Sequence, residues 1–129
     1  IFAEENRINL EYFNVNYDPR DSENKEFTHD KSLPKDRVIL LQTEDDLKRA
    51  FKTIPDIDME QKMVFIVFTQ VYGNYTIGLS NTVVEDNVLK VTISIDYGHM
   101  ITTRMLYYFV REMDKMDIRD TEVNKKIKR

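Results

Sequence analysis

Six consecutive apolar residues, Met63 to Phe68, are the densest hydrophobic block of the sequence and constrain its fold most strongly. A bilayer-spanning helix needs about 20 apolar residues, so this block is too short to cross a membrane. A short run rich in Val, Ile and Phe is typical of a strand buried on both faces. Two more β-branched segments follow, separated by turn residues at 72–74 and 86–87. We therefore expect residues 61–97 to form three antiparallel strands joined by consecutive hairpins.

A capped helix is expected from about Glu44 to Ile54. Thr43 is a suitable N-cap residue, and the acidic residues that follow it meet the positive end of the helix dipole. One apolar face recurs with helical spacing: Leu47, Ala50, Phe51 and Ile54. Pro55 is expected to end the helix. So short a helix is stable only when it packs against another element, so we expect it to lie on the sheet. The predicted fold is therefore α+β and β-rich, with one short helix against an antiparallel meander sheet or a sandwich-like version of it.

The N-terminal part combines a strand pattern with a long polar segment. Residues 7–17 alternate loosely and change phase, which predicts a half-buried strand with a bulge or register change near Tyr12. Residues from about 18 to 36 are polar and contain Pro19 at a turn position, so we expect a mobile loop there. Val38 to Leu41 is expected to form a short strand that leads into the helix.

The C-terminal part fits more than one pattern. From Ile101 to Ile118, apolar residues fit helical spacing, whereas the Tyr-Tyr-Phe-Val run at 107–110 favours a strand, and periodicity leaves both open. Residues from about 120 to 129 are polar and basic, so we expect a frayed tail. Residues 1–129 as a whole are expected to form a single domain.

Composition excludes several function classes. A net charge of −4 and a pI near 5.2 do not indicate nucleic-acid binding. The absence of cysteine excludes disulfides, thiolate metal sites and thiol catalysis, but it does not place the compartment. The sequence begins at Ile1 rather than Met, which a removed signal peptide, a lipoprotein leader or a cloning boundary explains equally.

No pattern of catalytic or metal-binding residues stands out. His29 and His99 have no ligand or acid–base spacing around them. Asp56, Asp58 and Glu60 resemble the start of a calcium loop, but the required glycine and bidentate glutamate are missing. We read that segment as a solvated connection with Ile57 and Met59 turned inward. The sequence therefore predicts no enzyme activity, no cofactor and no metal.

One succession of motifs carries a family resemblance. It comprises residues 38–47 (VILLQTEDDL), 54–59 (IPDIDM), 63–68 (MVFIVF), 73–77 (GNYTI) and 83–93 (VVEDNVLKVTI). From about Val38 to Ile95 the chain resembles the C-terminal domain of PrcB-like proteins, which are bacterial envelope-associated subunits that bind and stabilise a protease partner. Asn74 stands where that family has a second turn glycine, a position with positive φ that Asn accepts. The family's proline-containing segment after the last hairpin has no counterpart in residues 101–116.

The resemblance implies a small β-rich domain with one helix that is exported in a bacterium and acts by binding. It also favours a strand from Leu106 to Met113. The expected partner is a protease or another protein of the cell envelope, and the expected location is the envelope or the exterior, with the cytoplasm as the alternative. No nucleic acid and no transmembrane segment are expected, and the oligomeric state stays open.

Tyrosines and turn residues give the candidate binding site. We predict that a protein partner contacts Tyr72, Gly73, Asn74 and Tyr75 together with the adjacent sheet edge, because a free edge can accept a partner strand. Tyrosine is also favoured in interfaces. Two other hypotheses remain: a cytosolic regulatory or immunity-type protein that inhibits an enzyme, and a small enzyme with a dispersed carboxylate or histidine site.

Overall fold

The computed structural model describes residues 7–10, 13–14, 35–51, 54–72, 75–98 and 104–128. Within these ranges the chain forms short and long β-strands and one helix. In chain order they are β1 (Arg7–Asn9), β2 (Phe13–Asn14), β3 (Val38–Leu41), α1 (Glu44–Ala50), β4 (Lys62–Tyr72), β5 (Tyr75–Glu85), β6 (Val88–Tyr97), β7 (Arg104–Asp114) and β8 (Asp120–Lys128). The β-rich α+β class expected from the sequence is confirmed.

The described strands form two four-stranded sheets that share one core. Sheet A has the order β1-β5-β6-β8, and sheet B has the order β2-β7-β4-β3. All neighbouring pairs are antiparallel except β6 and β8, which are parallel. The core between the sheets is filled mainly from β4 and β6: Met63, Phe65, Val67, Val71, Leu89, Val91, Ile93 and Ile95. The fold is therefore a β-sandwich rather than one meander.

The three-strand meander predicted for residues 61–97 is wrong in one of its two hairpins. β5 and β6 pair as expected, but β4 lies in the other sheet, between β7 and β3. The six-residue apolar block explains this, because its side chains are buried on both faces of β4. A strand with two apolar faces needs a layer on each side, and the second sheet and α1 provide those layers.

The helix begins as predicted and ends early. Thr43 and Asp46 form a capping box, in which each side chain accepts a hydrogen bond from the other residue's backbone amide. The helix ends at Ala50, because the backbone of Phe51 is extended. The Phe51 side chain is nevertheless buried. Ile54 was expected on the buried face, but it lies outside the helix and is 47% exposed. Leu47 and Phe51 pack against the outer side of β4.

A left-handed turn and a bulge determine the shape of the β5–β6 hairpin. Asp86 and Asn87 have φ values of 53° and 63°, which suits the tight turn predicted there. The β5–β6 register shifts between Ser80 and Val83, and Asn81 within this bulge has a φ of 50°. Ile77 and Leu79 before the bulge and Val84 after it therefore all pack against the core between the sheets.

The C-terminal segments are both strands. β7 pairs with β4 over its whole length, which confirms the strand interpretation of residues 106–113. The frayed tail predicted for residues from about 120 to 129 is wrong, because Asp120–Lys128 form β8 beside β6. Thr121, Val123 and Ile127 alternate with polar residues, and this strand pattern was hidden by the surrounding lysines.

The N-terminal strand is divided between the two sheets. β1 pairs with β5 in sheet A, and β2 pairs with β7 in sheet B, so the single strand with a bulge or register change near Tyr12 is a wrong prediction. Residues 15–34, which hold most of the predicted mobile loop, lie outside the described residues. Residues 35–36 form a turn before β3, in which the Asp36 amide donates a hydrogen bond to the Phe68 carbonyl of β4.

Candidate binding surface

The predicted turn connects the two sheets. Tyr72 ends β4 opposite Arg104, and Tyr75 begins β5 opposite Tyr97, while residues 73–74 lie outside the described part of the chain. The Tyr75 ring is half-buried and meets the edge of the Tyr107 ring, with 6.0 Å between ring centroids. This contact joins β5 of sheet A to β7 of sheet B at the end of the sandwich.

Two other tyrosines, Tyr97 and Tyr108, are buried in different parts of the structure. Tyr97 is buried in the core between the sheets, whereas Tyr108 is buried on the opposite face of sheet B, with the α1 cluster. Burial of Tyr108 raises the pKa of its hydroxyl above the ordinary value. Both side chains therefore belong to the core, whereas Tyr75 and Tyr107 are half-buried at the end of the sandwich where Tyr72 ends β4.

β5, the strand that follows the turn, pairs with β6 on one side and with only a short described strand on the other. β1 pairs with β5 only along residues 83–85, and the Leu10 amide adds a hydrogen bond to the Thr82 carbonyl. Among the described strands, residues 76–80 pair with β6 alone. A strand side that pairs with no other strand presents backbone donors and acceptors to an added strand.

A shallow depression of about 410 Å³ is lined by Thr76 and Gly78 of this same strand. Gly78 and Ser94 pair across β5 and β6 at its floor, and no atom lies within 4 Å of where a Cβ on Gly78 would stand. Its other polar lining residues are Thr76, Asp96, Lys126 and Lys128. Ile77, Ile95 and Ile127 also line it, and most of its accessible lining is apolar, so the depression is an apolar surface bordered by the charges of Asp96 and the two lysines.

Sequence reasoning missed this depression. Gly78 interrupts a β-branched strand, and glycine inside a strand often marks a close approach by another group. The contribution of Lys126 and Lys128 depends on β8, which was interpreted as a frayed tail. Only the parallel pairing of β8 with β6 brings these lysines beside Ser94 and Asp96.

The acidic residues in the described ranges form no metal-binding group. No group of three or more His, Asp or Glu side chains able to hold a metal occurs in the described ranges, and His29 and His99 lie outside them. Asp58 organises a turn instead, since its carboxylate accepts a hydrogen bond from the Glu60 amide at 3.1 Å. Met59 beside it is buried, as expected.

Two further pKa shifts have structural causes away from the depression. A hydrogen bond from the Gln42 amide, 2.9 Å from the carboxylate, lowers the pKa of Asp46, and burial partly offsets this effect. A side-chain hydrogen bond with Asp114 raises the pKa of Lys62 across the β4–β7 pair. Both groups support the fold, the first at the helix start and the second between strands.

Comparisons with known proteins give no assignment. The sequence matches no protein-family model, no curated protein and no solved structure. The resemblance to PrcB-like domains therefore stays a prediction. Across the described ranges, no helix is long and apolar enough to span a membrane.

Proposed function

We propose that this protein is a non-catalytic binding domain that docks onto a protein partner through the β5 side of sheet A. The observation that carries the proposal is the pairing of residues 76–80 with β6 alone among the described strands. An extended partner segment that adds there gains backbone hydrogen bonds along the strand. The Tyr75–Tyr107 ring contact at the adjoining turn supplies an aromatic surface of the kind found in interfaces.

The charges that border the depression favour a partner segment of opposite charge. Thr76 and Gly78 lie on the same strand as the docking edge, so a partner strand added to β5 lies beside the depression. Lys126 and Lys128 give this part of an otherwise acidic protein a positive charge, which favours an acidic segment in the partner. The resemblance to PrcB-like domains supports a protease of the bacterial envelope as that partner.

Site-specific photo-crosslinking tests the docking edge. A photoreactive benzoylphenylalanine replaces Thr76, which is exposed on β5, and a matched control carries it at Lys48, which is exposed on α1. Each variant is incubated with an envelope extract of the source bacterium and irradiated, and the crosslinked proteins are identified by mass spectrometry. We expect one protein partner to crosslink at position 76 and not at position 48.

The opposite pattern counts against the proposal. A partner that crosslinks at position 48 alone, or equally at both positions, places the contact elsewhere or shows non-specific capture. A Tyr72→Ala/Tyr75→Ala variant that captures the same partner as strongly as the unmodified protein removes the turn from the binding site. A cytosolic extract is tested in parallel; a cytosolic enzyme captured from it at position 76 would support the same docking edge but favour the hypothesis that this protein inhibits an enzyme.

A further inference from the structure

β8 is the outermost described strand of sheet A. Its one described strand neighbour is β6, and its even-numbered side chains, from Asp120 to Lys128, are exposed. On the inner side, Lys125 Nζ lies 3.4 Å from Asp36 Oδ2, which fixes β8 beside the start of β3. Among the described strands, this nine-residue strand is therefore paired on one side, and its other side is an edge of sheet A.

The charges along this edge have opposite signs in its two halves. On the outward face, Asp120 and Glu122 lie in the first half, and Lys126 and Lys128 lie in the second half. Asn124 lies at the midpoint of the strand. Turning the strand end for end about Asn124 exchanges acidic positions with basic ones, so the edge is complementary to itself.

We infer that two copies of this chain associate by antiparallel pairing of their β8 strands about a two-fold axis at Asn124. In this register Asp120 lies opposite Lys128 of the second copy, and Glu122 lies opposite its Lys126. Each pair occurs twice by symmetry, and cross-strand pairs of opposite charge stabilise a sheet. The two copies then share one continuous eight-stranded sheet with all outward faces on the same side.

Other pairings of the same edge are less favourable. Parallel pairing in register places Lys126 against Lys126 and Glu122 against Glu122, and like charges directly opposite are destabilising. An antiparallel shift by two residues, the smallest that keeps each side chain on its face, retains one type of opposite-charge pair instead of two. The register centred on Asn124 therefore has the largest number of favourable pairs.

The backbone is compatible with this register. The Thr121 amide donates to its neighbour Asp120 Oδ1 at 2.8 Å, so we take this amide to point away from β6. Odd-numbered residues then exchange backbone hydrogen bonds with the second copy, and the charged even-numbered pairs occupy the positions without those bonds. At such positions facing Cα atoms are closer, about 4.5 Å against about 5.5 Å, which brings the charges together.

Antiparallel β8 pairing also limits the assembly to two copies. Lysines on an edge strand discourage continued strand addition, and a two-fold pair of β8 strands leaves no β8 edge for a third copy. The association is a closed dimer with a small interface, so we expect weak, concentration-dependent dimerisation. The inference rests on β8 and not on the proposed function, but Lys126 and Lys128 also line the depression, so an acidic partner segment bound there would compete with the dimer.

Sedimentation equilibrium on the full chain tests the inference by charge reversal. The protein is measured from about 20 µM to about 1 mM, a range suited to weak association. We expect a monomer–dimer equilibrium, and we expect Glu122→Lys or Lys126→Glu alone to weaken it roughly tenfold to thirtyfold, because two attractive pairs become repulsive. The double variant Glu122→Lys/Lys126→Glu restores opposite charges at both positions and should dimerise like the unmodified protein.

Mixing the two single variants gives the sharpest outcome. A Glu122→Lys chain and a Lys126→Glu chain complement each other, so an equimolar mixture should form a heterodimer more strongly than either variant forms a homodimer. Lys48→Glu on α1 is the matched control and should not change the association. A protein that is monomeric throughout the range overturns the inference. A dimer whose affinity is unchanged by the single charge reversals also overturns it. The same holds if neither the double variant nor the mixture of single variants recovers dimerisation.

Discussion

Replacing Thr69 with valine is expected to raise the free energy of unfolding. Thr69 alternates with Val67 and Val71 on the face of β4 that packs against sheet A, and its exposed fraction is 0%. Its Oγ1 atom is buried without a hydrogen-bond partner among the described residues. Burying a hydroxyl without a partner costs about 1–3 kcal/mol in proteins, so the native side chain weakens this part of the core.

Valine has nearly the shape of threonine and lacks the hydroxyl, so Thr69→Val removes the penalty without creating a cavity. We expect a gain of about 1–2 kcal/mol in the free energy of unfolding. For a chain of 129 residues, an unfolding entropy of about 2.1 cal/mol/K per residue converts this gain to a Tm increase of about 4–7 °C. Urea unfolding followed by circular dichroism measures the free energy, and calorimetry measures the Tm.

Thr76→Val is the matched control for this prediction. Thr76 is also a strand residue, but it is exposed on β5, so the substitution includes the same change in β-propensity without a buried hydroxyl. We expect it to change the free energy of unfolding by less than about 0.5 kcal/mol. A Thr69→Val protein that is less stable than the parent by 1 kcal/mol or more contradicts the reasoning, because the hydroxyl must then make a favourable interaction.

Three other substitutions test separate parts of the fold. Leu47→Ala removes the most buried side chain of α1, which is 1% exposed, and should cost about 2–4 kcal/mol in urea unfolding. Gly78→Ala should stabilise the protein by about 0.5 kcal/mol, because the added Cβ meets no atom within 4 Å. Asp46→Ala should cost about 1 kcal/mol at pH 7. Because folding lowers the pKa of Asp46 below 3.8, its contribution is present above that pH and is lost as the pH falls through the lowered value. A pH series of unfolding free energies should therefore fall more steeply in acid for the parent than for Asp46→Ala.

The local sequence predicted the strands better than their pairing. Thr43 and Asp46 formed the expected cap, and the turn at Asp86 and Asn87 joined β5 and β6, because these features depend on neighbouring residues. The sheet to which β4 belongs depends on distant segments. Its apolar residues on both faces required cover on both sides, but nothing nearby in the sequence identified β7 and β3 as its neighbours.

Charge also obscured part of the candidate surface. Lysines 125, 126 and 128 made residues 120–129 look like a solvated tail, whereas Val123 alternates correctly for a strand and packs against the core. The parallel pairing with β6 supplies backbone hydrogen bonds that compensate for a weak apolar face. The depression beside Gly78 needs β5, β6 and β8 together, so it was not visible in any one of them.

Amide hydrogen exchange of the free protein, followed residue by residue by NMR, tests the availability of the β5 edge most directly. In an antiparallel strand alternate amides point to opposite sides. We therefore predict fast exchange at alternate residues of 76–80, which pair with β6 alone among the described strands, and slow exchange throughout residues 64–67 of β4, which lie between β3 and β7. Uniformly slow exchange across residues 76–80 would show that the edge is already covered and would contradict its role as the docking site.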